Sequence, residues 1–383
     1  MIAKDYIQRR TSLYSLLPKD SIVIVHARDL LHRSLSIPYN FNQFSDFLYL
    51  TGNTRPSGAL AMYTLNGSLH SALFLPQPDP EAELMEGFRT TFEEGQKISG
   101  VDSVRPLSEF PHWISQHCSN SSQKNIFASL PPHQSSSHSF RLLAPYLDQL
   151  KVVKSAKEIK LMKRASEITK KALNKVLAGV KPGIIERQVA ARFENECINL
   201  GATGLAYPAE CQAGENALCL HYIENSCQIK EGDCLLLDAG CEYDGYASDF
   251  TRTIPVGRVS SAKLAALKIV EKCKNDLVAS AKSGKLHTLN EINEKAKDIL
   301  VAGLKELGVK SVDKNTISEY FPHHVSHWIG LDVHDSRTVD RNFKIKKGCC
   351  FTVEPGLYFA KDSDCPAELK GLGVRFEDTV IIE

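Results

Sequence analysis

The sequence predicts an α/β domain followed by an α+β domain, and three observations carry that prediction. The chain has 383 residues, 43% of them apolar, which is enough material for two cores of ordinary domain size. The first part holds short β-rich runs punctuated by Gly, Pro and Asn. Beyond about residue 150 the pattern changes to long amphipathic helices alternating with β-like segments. The boundary is expected near Leu150, giving domains 1-150 and 151-383.

The chain opens with a helix-like stretch from Asp5 to Leu17. "SIVIVHA", "DFLYLTG", "ALAMYTL" and "SALFLPQ" follow and are read as strands, some joined as hairpins. "SLPPHQSSSHSF", residues 129-140, is a Pro and Ser stretch read as an exposed loop whose two histidines are idle. Ser155 with Glu158 forms a capping-box signature ahead of Ile159, Met162, Ile168, Leu173 and Val176, and the helix should stop at Gly179 before Pro182. A second helix runs from about Ile185 to Leu200. Two more fall near 261-283 and 289-307, and Thr288 with Glu291 repeats the capping box. The β-like segments of this half are "CLLLDAG", "YASDFTRTIPV", "CCFTVEPGLYF" and "GVRFEDTVIIE".

Charge is balanced at +1, which removes the electrostatic footprint of a nucleic-acid binder or an anionic-membrane binder. No run approaches the roughly 20 apolar residues of a spanning helix, and "MIAKDYIQRR" is not followed by the apolar stretch of a secretory signal. Asp5 argues against an Arg-rich, acid-poor presequence. The expected compartment is therefore cytoplasmic, or mitochondrial if the chain is a trimmed form. Eleven cysteines without a C-x-x-C pair read as reduced, mostly buried thiols. HExxH, GxxxxGK[ST] and GxGxxG are all absent.

The chemistry lies in acids that do not belong in a core. In "CLLLDAGCEYDGYASDFTRT" two strand-like runs flank the turn signal "EYDG", and the midpoint between Asp238 and Asp249 falls between Tyr243 and Asp244. A hairpin centred there sets the two aspartates across from each other. Taken alone, they also admit a bland reading as a turn residue and a cap. The pattern recurs at Glu354 in "FTVEPG" and Glu377 in "GVRFEDTVII", although one buried Glu could pair with Arg375. "HHVSHWIGLDVHD", residues 323-335, adds four histidines and two aspartates in thirteen positions. Like charges gathered beside apolar neighbours need protons or cations to neutralise them. Four acids and one histidine suit a pair of divalent ions such as Mn²⁺, held by carboxylate oxygen and imidazole nitrogen, and point to hydrolysis by a metal-bridged hydroxide.

With "IPYNFNQFSDFLYLTG" and "ELMEGFRT" in the first domain, and "LHYIEN", "LLLDAGCEYDGYASDFTRT", "PHHVSHWIGLDVHD", "TVEPGLYF" and "GLGVRFEDTVI" in order in the second, the chain resembles aminopeptidase P and prolidase-type metallopeptidases of the pita-bread (creatinase-like) fold. It is most similar to the Xaa-Pro aminopeptidase 3 branch, which includes the intermediate-cleaving peptidases. The resemblance implies five metal ligands, Asp238, Asp249, His327, Glu354 and Glu377, with Asp249 and Glu377 bridging two divalent ions, manganese first and cobalt or zinc as alternatives. It implies that His221 and His334 face the scissile peptide, that His323 lines the pocket for the second residue, and that Tyr358 and Arg375 stand near that pocket and the metals. His324 receives no role, and Glu354 is the candidate for handling the water's proton. The implied substrates are peptides with proline second, other second residues being admitted in some relatives, and the implied assembly is a homodimer. Asn42 and Met85 depart from the residues common in this branch and bear on substrate preference. Two other readings remain open. One is a prolidase restricted to Xaa-Pro dipeptides, and the other is a non-catalytic binding protein of the same fold.

Overall fold

A computed structural model describes residues 1-118, 125-129 and 140-383, so most of the Pro and Ser stretch at 129-140 lies outside the described residues. The chain divides into two compact units, Met1–Leu150 and Lys151–Glu383.

In the first unit a six-stranded mixed sheet runs in the spatial order Ser103–Pro106, Ser68–Leu75, Ala59–Leu65, Ile22–His26, Ile126–Ala128, Arg141–Leu142. The "SIVIVHA", "ALAMYTL" and "SALFLPQ" runs are central strands, their apolar faces packed with Phe110 and Trp113 of the helix Phe110–Cys118. "DFLYLTG" differs from expectation. It forms the helix Ser45–Thr51, closed by Gly52 in the left-handed conformation at φ 71°. Phe47, Leu50 and Thr51 recur at helical rather than alternating spacing, and all are buried.

The second unit carries four long helices at Ala156–Leu177, Glu186–Asn199, Ser261–Lys282 and Leu289–Glu306. The Ser155 capping box forms as expected, with Glu158 N–H donating to Ser155 Oγ and Ser155 N–H to Glu158. The Thr288 box forms by half. Thr288 Oγ1 accepts from Glu291 N–H, but the Glu291 carboxylate turns to His287 N–H. One core packs the first helix pair against Leu235 and Leu237, and the other packs the second pair against Phe351, Leu357 and Val374.

Between these cores the sheets are short. Cys234–Asp238 pairs antiparallel with Glu210–Ala213 on one side and Thr251–Pro255 on the other. Cys350–Val353 pairs with Asp378–Ile381, and Gly356–Phe359 pairs with Leu372–Arg375. Each of the three long β-like segments breaks at its acid. Asp249 lies between the strands Tyr246–Ala247 and Thr251–Pro255, Glu354 follows Val353, and Glu377 separates Arg375 from Asp378. A charge inside a ladder would be forced into an apolar face, whereas at a break it turns out of the sheet.

The aspartate hairpin is set two residues away from the expected register. Tyr243 pairs with Tyr246 across Asp244 and Gly245, whose φ values of 48° and 81° define a primed two-residue turn. Asp238 consequently faces Thr251, and Asp249 becomes its diagonal neighbour on the same face. A Cβ at Gly240 would collide with the Ser248 carbonyl, so glycine is needed where the chain crosses this break.

Candidate active site

Backbone hydrogen bonds draw the acids together. Glu377 N–H donates to Thr251 O at 3.0 Å, and Asp249 N–H donates to Thr379 Oγ1 at 2.9 Å. These bonds tie the Glu377 break to the Asp249 break. The histidine-rich segment lies against Cys350–Val353. His327 N–H donates to Thr352 Oγ1, Thr352 N–H to His327 O, and Glu354 N–H to Val325 O. The Trp328 indole packs into the core between Phe343 and Phe351, leaving the His327 imidazole to face the acids.

Among the described residues, Asp249, His327 and Glu377 offer ligand atoms that all lie within 4.8 Å of one another. Nδ1–H of His327 donates to its neighbour's carbonyl, Trp328 O, at 3.1 Å, which fixes the ring and turns Nε2 to the acids. That nitrogen is 3.4 Å from Asp249 Oδ2 and 3.4 Å from Glu354 Oε1. Asp238 joins from the other side through Tyr207, whose hydroxyl reaches Asp238 Oδ1 at 2.6 Å and Asp249 Oδ1 at 2.5 Å. Arg375 Nη2 donates to Asp238 Oδ2 at 2.6 Å. All five expected ligand residues line one cavity of about 800 Å³.

The electrostatics show a cluster short of positive charge. Burial, reinforced by the Asp249 carboxylate, lifts Glu377 well above the usual carboxylate range. Burial lifts Glu354 to about 7 against the opposing His327 charge, and it raises Asp238 despite Arg375. Burial alone would raise Asp249, but the hydrogen bond and charge of His327, the Tyr207 hydroxyl and the Arg375 charge together hold it below the usual aspartate value. Burial alone would lower His327, but its bond to Asp249 and the charges of Glu354 and Asp249 raise it to about 9. Carboxylates crowded in this way keep protons unless cations replace them. A set of oxygen donors with one imidazole fits hard or borderline divalent ions.

His221, His323 and His334 line the same cavity. The His334 ring stands edge-on to His327 with centroids 4.5 Å apart. His323 Nε2 bonds the Tyr358 hydroxyl at 2.9 Å, and Arg375 Nη1 donates to the same hydroxyl at 2.8 Å. Tyr358 is buried behind His323 and Arg375 instead of standing on the cavity wall. Sequence reasoning missed Tyr207 and Glu210. Glu210 faces Asp238 across the sheet, with Oε2 3.8 Å from Arg375 Nη2, and burial pushes it to about 9. Neither residue lies in a pattern that marks it; only the pairing of Glu210–Ala213 with Cys234–Asp238 brings them to the site.

This fold and donor set define a metal-dependent hydrolase of the peptidase kind. Comparison with known proteins gives the family. Residues 160–383 match the metallopeptidase family M24 and residues 6–127 match the aminopeptidase P N-terminal domain. The chain belongs to metallopeptidase family M24, with the pita-bread catalytic fold preceded by an aminopeptidase P-type N-terminal domain. It is 32% identical to Xaa-Pro aminopeptidase 3 of Mus musculus, covering 99% of this chain and 81% of the relative. It is 30% identical to the mitochondrial intermediate cleaving peptidase 55 of Arabidopsis thaliana, covering 99% and 78%. The solved structure of Escherichia coli aminopeptidase P with the inhibitor Pro-Leu superposes with a TM-score of 0.87 at 28% identity, over 100% of this chain and 93% of that one. No described helix is long and apolar enough to cross a membrane.

Proposed function

We propose that this chain is a dinuclear-metal aminopeptidase that releases the N-terminal residue from peptides whose second residue is proline. The observation that carries this reading is the Asp249, His327 and Glu377 group, flanked by Asp238 and Glu354 in a cavity that His221, His323 and His334 also line. In this assignment Asp238, Asp249, His327, Glu354 and Glu377 would together hold the two ions. Bound ions, with manganese first and cobalt or zinc as alternatives, supply Lewis acidity toward the scissile carbonyl and a water acidic enough to attack it.

The chain's own residues do the rest. Glu354 receives the water's proton on its carboxylate. His221 and His334 donate hydrogen bonds to the scissile peptide and to the oxygen that gains charge on attack. His323 is held edge-on between Phe321 and Tyr358, with centroids 4.8 and 5.5 Å away, and offers a fixed ring face to the proline. Tyr358 and Arg375 support that face, and Arg375 also orients Asp238. A homodimer belongs to the same proposal. The exposed apolar side chains Leu31, Leu35, Ile37 and Tyr39 of the first unit are surface of the kind a partner copy covers, and sedimentation velocity checks it.

The deciding experiment is mass-spectrometric detection of N-terminal residue release, with Mn²⁺ added, from two peptides differing only in proline or alanine at the second position. Strong preference for proline is expected. Equal cleavage would move the protein toward broader trimming, in keeping with the name of the Arabidopsis relative. Cleavage of an Xaa-Pro dipeptide alone would make it a dipeptidase, and cleavage of nothing would leave a binding protein.

A further inference from the structure

The cavity has two electrical faces. Its floor gathers the carboxylates of Asp238, Asp249, Glu354 and Glu377 with Glu210 beside them. The guanidinium on that floor, Arg375, is already engaged by Asp238 and Tyr358. The wall that continues from the histidine-rich segment carries the opposite sign. Arg337, three residues past His334, lines the cavity, is exposed, and has no hydrogen bond or ion pair among the described residues. Arg341 lines the same wall. Its Nε and Nη1 are bound to Asn290 Oδ1 at 3.2 Å and Ser326 O at 2.9 Å, while its buried Nη2 has no partner. Asp332, the acid on this wall, lies 4.0 Å from the Lys151 ammonium.

An exposed arginine by itself is ordinary surface. Two guanidiniums with unused donors on the wall of a cleft whose floor is acidic are a different case, because a cleft focuses the field of the charges that line it. A peptide entering such a cleft is oriented. Its N-terminal ammonium is drawn to the carboxylates, and the chain beyond the scissile bond passes the cationic wall. A guanidinium there has donors suited to a carboxylate.

We propose that Arg337, backed by Arg341, is a specificity determinant that favours peptides with a carboxylate in the third or fourth position, either an acidic side chain or the free C-terminus of a short peptide. The inference deepens the aminopeptidase reading and rests on it.

The test uses the Mn²⁺-loaded protein and amidated peptides that begin Ala-Pro and carry Glu, Gln or Lys at the third or the fourth position. The Gln peptides are also made with a free C-terminus, which separates side-chain from terminal carboxylate. The expected result is a kcat/KM for Glu about three- to tenfold above Lys, carried by KM, and reduced in high salt. Arg337→Gln levels the series and Arg337→Glu reverses it. An unchanged order in Arg337→Glu, or no charge preference in the wild type while all peptides are cleaved, overturns the inference and leaves the aminopeptidase reading standing. If no peptide is cleaved, the aminopeptidase reading fails, and calorimetric affinities of the same peptides decide the rest. Tighter binding of Glu peptides that is lost in Arg337→Glu supports the cationic wall, whereas equal affinities overturn it.

Discussion

The hydroxyl of Tyr207 lies 2.5 Å from Oδ1 of Asp249 and reaches Oδ1 of Asp238 at 2.6 Å, so one phenol spans two carboxylates that would otherwise repel. A phenol has a single proton to share between them. Its ring is wedged beside Gly240, where a Cβ would approach it to 3.1 Å, so its position is set by packing and not by the hydrogen bonds alone. Partners that orient metal-binding carboxylates typically matter about 10- to 100-fold in metal affinity or activity. Tyr207→Phe keeps the ring and is expected to weaken Mn²⁺ binding by about tenfold. Equilibrium dialysis with metal analysis checks this, and unchanged affinity would show that the hydroxyl does not orient the pair.

Asp249→Asn and His327→Ala each remove one member of the Asp249, His327 and Glu377 group, in which His327 Nε2 lies 3.4 Å from Asp249 Oδ2. Each is expected to lose metal and to lower kcat by about a thousandfold or more. The metal-free protein should unfold at nearly the wild-type temperature, because Asp249 stands among like charges and His327 sits in a wall the backbone already holds. Metal content, turnover and thermal unfolding measured on the same preparations check the assignment. Wild-type turnover at equal metal would refute it.

How far the site can be read from the sequence depends on whether the signal is local. The Ser155 and Glu158 box is three residues apart on one helix and needs nothing else. Asp238 and Asp249 are conspicuous because each sits at the end of an apolar run, yet their relative position depends on which two residues make the turn. Asp244 and Gly245 make it, with both φ values positive, one residue later than a turn centred between the aspartates. "DFLYLTG" contains β-favouring side chains, and tertiary packing of Phe47 and Leu50 as a helical stripe overrides them. Glu210 and Tyr207 gain their meaning from a strand partner more than twenty residues away, and no local pattern carries that pairing.

Glu186 anchors the segment that bears His221. Its buried carboxylate accepts from Ala213 N–H and Asn216 Nδ2 at 2.8 Å, and from the Tyr222 hydroxyl and Cys227 N–H at 2.9 Å. All four partners are donors here, so Glu186→Gln points an amide N–H₂ at two of them. The expected loss is about 2–4 kcal/mol of unfolding free energy, with faster amide exchange across residues 219–227. Urea unfolding with hydrogen exchange checks both. A stability loss without faster exchange in that segment would limit Glu186 to the helix start and detach it from His221.

Asp335 ties the His334 loop to the start of the second unit. Its two oxygens lie 3.2 Å from the Lys151 and Lys154 ammonium groups, and all three side chains are buried. Burial alone would raise its pKa, but the two lysines hold it below the ordinary aspartate value. A group whose pKa is depressed on folding adds stability above its unfolded pKa and loses it as pH falls through the lower folded value. Its contribution is therefore complete at neutral pH, begins to fail near 3.9, and is gone below the folded pKa. Asp335→Asn leaves two buried ammonium groups without a counter-charge and is expected to cost about 3–5 kcal/mol at pH 7. The gap between wild type and variant should begin to close as the pH drops below about 3.9, where the unfolded carboxyl takes up its proton first, and should vanish once the folded carboxyl is neutral as well. Denaturant unfolding of both proteins from pH 7 to pH 3 checks the sign, and a gap independent of pH would mean that packing, rather than charge, holds this loop.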